Sequence, residues 1–92
     1  MSINFEWDPA KARTNLEKHR VSFEEAATIF SDPLSLTISD PLHSEAEIRF
    51  VILGESIRRR LLVVVFTEQE DRIRIISARR ATRRERQQYE EE

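Results

Sequence analysis

The spacing of the apolar residues changes at Leu34 from a helical to a strand period, and this change divides the chain into two regions. In the first region, Asp8-Pro9 is typical of a helix start, because Asp caps free backbone amides and Pro fits the first helical position. The sequence therefore predicts a helix that runs from Pro9 to about His19.

A second helix is predicted to begin at a capping box, in which Ser22 binds the amide of the third helical residue and Glu25 reaches back. Four apolar residues then recur at the i, i+3, i+4, i+7 spacing of one buried helix face: Phe23, Ala26, Ala27 and Phe30. Asp32-Pro33 is expected to end this helix, because the residue before a proline is disfavoured in the helical region.

Beyond Leu34, the alternation of apolar and polar residues predicts four strands, at about residues 34–39, 47–53, 61–66 and 73–77. Residues 61–66 are apolar on both faces, which is typical of a central strand. Gly54-Glu55-Ser56 is expected to turn the chain between the second and third strands. A capping box from Thr82 to Glu85 predicts a terminal helix through Tyr89.

These elements belong to one domain, because a chain of 92 residues has no room for two independent cores. Short connections between consecutive strands favour antiparallel pairing. The sequence therefore predicts an α+β domain over residues 1–92, with two N-terminal helices, a four-stranded antiparallel meander sheet and a C-terminal helix. The helices are expected to pack on one face of the sheet.

The composition excludes several kinds of chemistry. Cysteine is absent, so disulfides, thiolate metal sites and thiol catalysis are excluded, and a single glycine leaves no nucleotide-binding glycine loop. We therefore expect no metal and no cofactor. No apolar run approaches the 18 residues of a membrane span, and the N-terminus lacks the basic and apolar regions of a signal peptide. The sequence thus predicts a cytoplasmic protein that does not contact a membrane.

The formal net charge of −2 hides a strong asymmetry along the chain. Residues 1–57 carry a charge of −5, whereas residues 58–86 carry ten arginines and a charge of +6. Arginine is preferred where a planar group must hold a phosphate or a carboxylate. Any one of these arginines could simply form an ion pair on the surface, but the cluster as a whole predicts a polyanion or an acidic protein as partner.

Acid/base chemistry on a basic surface suits RNA cleavage. The 2′-OH attacks the adjacent phosphate, a base takes its proton, an acid protonates the leaving oxygen, and cations stabilise the phosphorane. The candidates for proton transfer are His43, Glu47, His19 and Tyr89. Glu47 and Arg49 are two residues apart on a predicted strand, so they share one face, where His43 can join them. The alternative is an ordinary ion-pairing set beside a solvated histidine.

A second group of residues is expected to bind RNA phosphates. Arg72 and Arg74 share one face of the last predicted strand, and further basic residues flank the start of the last helix: Arg79, Arg80, Arg83 and Arg84. Lys18 and His19 end the first helix, where they bind RNA or only complement the helix dipole.

Two long motifs resemble those of the BrnT family. They are FEWDPAKA, then Asn15, then KHxVSFEEA over residues 5–26, and RIRIISARxATxxERxxY over residues 72–89. His43-Ser44-Glu45 and Glu47-x-Arg49 also fit the family pattern. The resemblance implies a ribonuclease toxin of a type II toxin–antitoxin system, with a RelE-like fold, that blocks translation. It also implies a BrnA antitoxin that wraps the toxin and binds the operator DNA.

The resemblance assigns site residues by motif to Arg49, Arg79 and Tyr89, whereas His43 and Glu47 rest mainly on the chemical argument. The family has glycine after Lys-His, where this chain has Arg20. Arg20 must either hold a left-handed conformation at a cost of about 1 kcal/mol or end the helix differently. The competing functions are a non-catalytic corepressor that binds the antitoxin and a plain RNA-binding module.

Overall fold

The computed structural model describes residues 3–40 and 48–91. Within them lie three α-helices and five strands, and a 3₁₀ turn over Ile29–Ser31 follows the second helix. In chain order the elements are β1 (Asn4–Glu6), α1 (Pro9–His19), α2 (Phe23–Thr28), β2 (Leu36–Asp40), β3 (Arg49–Glu55), β4 (Leu61–Gln69), β5 (Arg72–Arg80) and α3 (Arg83–Glu90). The predicted α+β class is confirmed.

The sheet differs from the prediction in strand number, order and direction. Its spatial order is β1-β5-β4-β3-β2, and β2 to β5 form the expected antiparallel meander. The additional strand, β1, precedes the first helix and pairs parallel to β5, with Phe5 opposite Ile73. The predictions of a helix as first element, of four strands and of a purely antiparallel sheet were therefore wrong. A three-residue strand is too short to show an alternating pattern, and its pairing is supplied by a distant strand edge.

The turn between β3 and β4 lies later than predicted. Gly54 is within β3, and the chain turns over residues 56–60 with Arg59 at a φ of 65°. A Cβ at Gly54 would lie 3.2 Å from the Cβ of Ser35 and 3.3 Å from that of Ile29. Glycine is therefore needed here for close packing of the strand on the 3₁₀ turn, and the turn itself is made by other residues.

The main core lies between one face of the sheet and the helices α1 and α2. Its largest fully buried side chains come from both layers: Phe23, Ile29, Leu62, Ile75, Val21 and Val64. The predicted face of α2 is buried at Phe23 and Ala26 and half-buried at Ala27, and Phe30 lies beyond α2 in the 3₁₀ turn. There the ring of Phe30 packs edge-on against that of Phe66, with 4.9 Å between centroids. We call this side of the sheet the core face.

The side-chain amide of Asn15 forms hydrogen bonds with the backbone edge of β5, beyond the part of this strand that pairs with β1. Its Nδ2 donates to the carbonyls of Ala78 at 2.8 Å and Val21 at 3.0 Å, and its Oδ1 accepts from the amide of Ala78 at 3.1 Å. The side chain thus replaces a neighbouring strand for one residue of β5. Because Asn15 is buried in α1, these bonds also fasten that helix to the sheet edge.

The start of α2 uses only half of the predicted capping box. Ser22 Oγ accepts from the amide of Glu25 at 3.0 Å, as expected. The Glu25 carboxylate does not reach back, because it accepts from Ser56 Oγ at 2.7 Å and from Arg60 Nε at 2.9 Å, and its other oxygen accepts from Arg60 Nη2. The hydrogen bond from Arg60 outweighs desolvation and, with Ser56, holds the pKa of Glu25 below its ordinary value. The cluster ties α2 to the β3–β4 turn.

Helix α1 ends at Arg20 in the left-handed region, with φ 60° and ψ 32°. Of the two expected outcomes, Arg20 therefore adopts the left-handed conformation. Its amide donates to the carbonyl of Leu16, and its carbonyl accepts from Arg60 Nη2 at 3.0 Å. The strained end of α1 is thus held by the same arginine that binds Glu25.

Candidate functional site

The second face of the sheet, opposite the core face, carries most of the predicted site residues that the structure describes. Helix α3 packs against one end of this face, where Tyr89 contacts a small apolar cluster around Leu53, Leu61 and Val63. The expectation that the helices all pack on one face of the sheet was therefore wrong. At the other end, paired residues place polar side chains across four strands, and those of three strands are charged. The second face is therefore apolar under α3 and polar away from it.

The polar end contains a row of four residues that are neighbours across the sheet, which we call the arginine row: Arg49, Thr67, Arg74 and Glu6. Arg49 is paired with Thr67, Thr67 with Arg74, and Arg74 with Glu6. Directly paired residues share a face, and their Cβ atoms lie about 4.5–5.5 Å apart. The row therefore brings two guanidinium groups, a hydroxyl and a carboxylate together on the second face.

The carboxylate of Glu6 is shared between two arginines. Its Oε1 lies 3.1 Å from Arg72 Nη1 and its Oε2 3.3 Å from Arg74 Nη1. One negative charge thus faces two positive charges, and each guanidinium has five N–H donors, so donors remain for a further anion. Such donors can bind an anionic oxygen of a phosphate or of a carboxylate.

Arg74 and Arg79 of β5 share the second face only because the strand contains a bulge between them. The pairing with β4 shifts between Val65 and Phe66, which face Ser77 and Ile75, so Ile76 is the extra residue of β5. Arg79, five residues from Arg74, is paired with Val63 and also lies on the second face.

Arg79 is held by the start of α3. Its two terminal nitrogens donate to the two carboxylate oxygens of Glu85 at 2.9 and 2.8 Å. Glu85 Oε1 also accepts from the amide of Thr82, and Thr82 Oγ1 accepts from the amide of Glu85, which confirms the predicted capping box. The bond from Arg79 is the main reason that the pKa of Glu85 falls to about 2.

Tyr89 is joined to a residue that sequence reasoning did not assign to the site. Its hydroxyl donates to Asp32 Oδ2 at 2.6 Å, and the same oxygen accepts from the amide of Glu55 at 2.8 Å. Asp32 Oδ1 accepts from the amide of Leu34. The sequence indicated only that Asp32-Pro33 ends a helix, and no local pattern links Asp32 to a tyrosine 57 residues away.

These bonds shift both pKa values. Burial raises the pKa of Asp32, but the hydrogen bonds from Glu55, Tyr89 and Leu34 outweigh it and leave the pKa below its ordinary value. The bond to Asp32 raises the pKa of Tyr89 to about 12. Tyr89 is therefore protonated at neutral pH and can donate a proton or a hydrogen bond.

We expect Tyr89→Phe to lower the free energy of unfolding by about 1–2 kcal/mol at pH 7, because the ring is kept and one bond to a carboxylate is lost. The pKa of Tyr89 is raised from 10.0 to about 12, so this contribution is complete below pH 10 and disappears as the pH rises through about 12. It also disappears as Asp32 is protonated below pH 3.8. Urea unfolding across this range measures it, with the exposed Gln87→Ala as control. A constant difference across the range would contradict the assignment.

The predicted catalytic residues do not all meet at one point. Arg49 and Arg79 face Thr67 and Val63, which are four residues apart on β4 and so about 13 Å apart along the strand. The structure therefore groups Arg49 with Arg74 and Arg72 at one end of the second face, and places Arg79 beneath α3 at the other. His43 and Glu47 lie outside the described residues.

The remaining predicted RNA-binding residues lie elsewhere. Lys18 and His19 line a crevice of about 360 Å³ at the edge of β5, together with Ser77. Arg80 is exposed and paired with Leu62, which places it on the opposite face from Arg79. Arg83 is the exposed first residue of α3.

Beside α3, a groove of about 410 Å³ runs over the apolar part of the second face. Its floor includes Leu36, Val51 and Val63, and Ile38 on its margin is 65% exposed. Glu85 of α3 and Glu91, the residue that follows this helix, form its polar side.

Among residues 3–40 and 48–91, no group of three or more His, Asp or Glu side chains is placed to hold a metal ion. Within the same residues, no helix is long and apolar enough to cross a membrane. The predicted independence of metals and cofactors stays a prediction.

Comparison with known proteins places this fold in a class. The crystal structure of the Brucella abortus ribonuclease toxin BrnT has a similar fold, with a TM-score of 0.65 and 24% sequence identity, over 89% of this chain and 100% of that one. The sequence model of the family described as "Ribonuclease toxin, BrnT, of type II toxin-antitoxin system" matches residues 7–85. This chain therefore belongs to the BrnT family, as its motifs predicted. No curated protein sequence matches it.

Proposed function

We propose that this BrnT-family toxin cleaves RNA by metal-independent acid/base catalysis on the second face of its sheet. The observation that carries the proposal is the arginine row. In it, Arg49 and Arg74 flank Thr67 from the two neighbouring strands, and Arg72 lies beside Arg74. Such a row supplies the positive charge that a phosphorane needs without a bound cation.

The proposed reaction is attack of the ribose 2′-OH on the adjacent phosphate, with departure of the 5′-oxygen. Arg49 stabilises the charge on the reacting phosphate, and Arg79, about 13 Å away along the face, binds another phosphate of the same RNA. Tyr89, with its pKa raised to about 12, is protonated at neutral pH and is unsuited to act as a base. The proton is therefore taken by His43 or Glu47, since histidine and a carboxylate can both accept one at neutral pH.

The remaining basic residues are proposed to hold the RNA on either side of the reacting phosphate. Arg74 belongs to the arginine row and Arg72 lies beside it on β5, whereas Arg80 and Arg83 flank the start of α3. Lys18 and His19 extend the basic surface around the edge of β5. Binding of this kind depends on phosphate contacts and carries little sequence information.

Cleavage of RNA by this toxin is proposed to block translation, and a BrnA-like antitoxin is proposed to neutralise it. A surface with Arg49, Arg72, Arg74 and Arg79 is best masked by acidic side chains of the partner, which would also speed association. An interface that covers both ends of the second face would exceed the standard size of about 1,600 Å². Operator DNA would then be bound only through the antitoxin.

We expect cleavage of RNA by the purified toxin to continue at an unchanged rate in excess EDTA, because the arginines supply the charge that a metal would supply. Gel analysis of a labelled RNA with and without EDTA measures this. Arg49→Ala protein purified in parallel controls for a contaminating nuclease. Activity that disappears in EDTA and returns with Mg²⁺ would indicate metal-assisted hydrolysis.

A further inference from the structure

The arginine row contains one polar atom that the mechanism proposed above does not use, Oγ1 of Thr67. The residue is 2% exposed, and within the described part of the chain this oxygen has no hydrogen-bond partner. A buried hydroxyl without a partner costs about 1–3 kcal/mol. Such groups are rare in folded proteins, and each one calls for an explanation in terms of the site it belongs to.

Packing does not explain why position 67 carries a hydroxyl. On the second face, the two preceding positions of β4 are Val63 and Val65, and both are paired with residues of β3 and β5. Valine has the same branched shape as threonine and equal preference for strands. A valine at position 67 would therefore fill the row without an unpaired oxygen.

The neighbours of Thr67 indicate what its hydroxyl binds. Arg49 and Arg74 are its direct partners on the two adjacent strands, so their side chains rise from positions about 5 Å to either side. Arg74 contacts Glu6 through one of its five N–H groups, which leaves donors for another acceptor. A phosphodiester group held between the two guanidinium groups would come within reach of the hydroxyl once the side chains that cover this oxygen move apart.

We propose that Thr67 is an RNA-binding residue, whose hydroxyl donates to a non-bridging phosphate oxygen held between Arg49 and Arg74. The proposal rests on the ribonuclease function argued above and locates one phosphate of the RNA on the arginine row. The hydroxyl then gains in the complex the hydrogen bond that it lacks in the free protein. Stability of the free protein is thereby exchanged for affinity.

The test compares Thr67→Val with Thr67→Ser in the full-length protein. Binding is measured with a fluorescent single-stranded RNA oligonucleotide that is 2′-O-methylated throughout, since it keeps its phosphates but cannot be cleaved by 2′-OH attack. We expect Thr67→Val to melt at or above the wild-type temperature and to bind this RNA about tenfold more weakly. Thr67→Ser keeps the hydroxyl and should bind within about threefold of wild type, although loss of the methyl group lowers its stability.

Thr37→Val is the matched control, because it removes an exposed hydroxyl from β2 of the same sheet. Its affinity for the methylated RNA should equal that of the wild type. Marked destabilisation of Thr67→Val would show that the hydroxyl is bonded inside the protein, and wild-type affinity would show that it does not contact RNA. Either result overturns the proposal. Neither readout requires cleavage, so a failure of the metal-independent mechanism is detected separately by the EDTA experiment.

Discussion

Replacing Arg49 by alanine is expected to lower kcat/KM for RNA cleavage by about 10²–10³-fold. The residue lies at the polar end of the second face, where its register with Thr67 and Arg74 places it beside the proposed phosphate position. Charge that develops on the phosphorane would lose one of its fixed donors, and water cannot replace a preorganised guanidinium. A steady-state assay with a labelled RNA measures the loss.

The fold should survive this substitution, because Arg49 is a half-buried residue at the first position of β3 and not part of the main core. Thermal melting of the variant checks that point. Arg13→Ala serves as control, since it removes an exposed arginine from α1 on the other side of the sheet. A folded Arg49→Ala protein that cleaves RNA at the wild-type rate would remove this residue from the site.

The largest loss of stability is expected from Arg60→Ala, about 3 kcal/mol at pH 7. The Glu25 side chain is 4% exposed, and without Arg60 its charge keeps a hydrogen bond from Ser56 and a distant contact from Arg58 at 3.9 Å. The carbonyl of Arg20 loses its donor as well. Removing one partner of a buried ion pair leaves the other charged and desolvated, which is the costly case. Urea denaturation measures the difference.

The pH dependence of this loss follows from the lowered pKa of Glu25. The ion pair stabilises the protein fully at a pH above 4.5, the ordinary pKa of a glutamate. This stabilisation is lost as the pH falls through the lower pKa that Glu25 has in the folded protein. The difference between wild type and Arg60→Ala should therefore narrow below pH 4.5. Arg58→Ala is the matched control: its side chain is 71% exposed, so it should cost less than about 0.5 kcal/mol. Equal effects of the two substitutions would contradict the role given to Arg60.

Helix starts and central strands could be predicted because their signals are local. The side chains of Asp8 and Ser22 accept hydrogen bonds from the backbone amides of Ala10 and Glu25, respectively. Thr82 forms a capping box with Glu85. The apolar run over residues 61–66 became the middle strand of the five. Strand β1 could not be predicted, because three residues carry no periodicity and their partner lies 68 positions further along the chain.

The candidate site was predictable where it depends on alternation and unpredictable where it depends on tertiary contact. Arg49, Arg72 and Arg74 follow from strand periodicity. The hydrogen bond between Tyr89 and Asp32 depends on where α3 packs on the sheet. The carboxylate of Glu25 accepts from Ser56 and Arg60, and not from the backbone at the start of its own helix. In both cases the hydrogen-bond partner is remote in sequence, so no local pattern could indicate it.

The bulge at Ile76 has a consequence for how β5 tolerates change. On the second face lie the even-numbered residues of β5 before Ile76 and the odd-numbered residues after it. Ile76 is the position at which this alternation shifts by one residue. A β5 strand that kept all of its residues but paired with β4 without this bulge would alternate in a single frame from Arg79 back to Arg72. Arg72 and Arg74 would then point into the core in place of Ile73 and Ile75, and the arginine row would be lost without the loss of a single arginine.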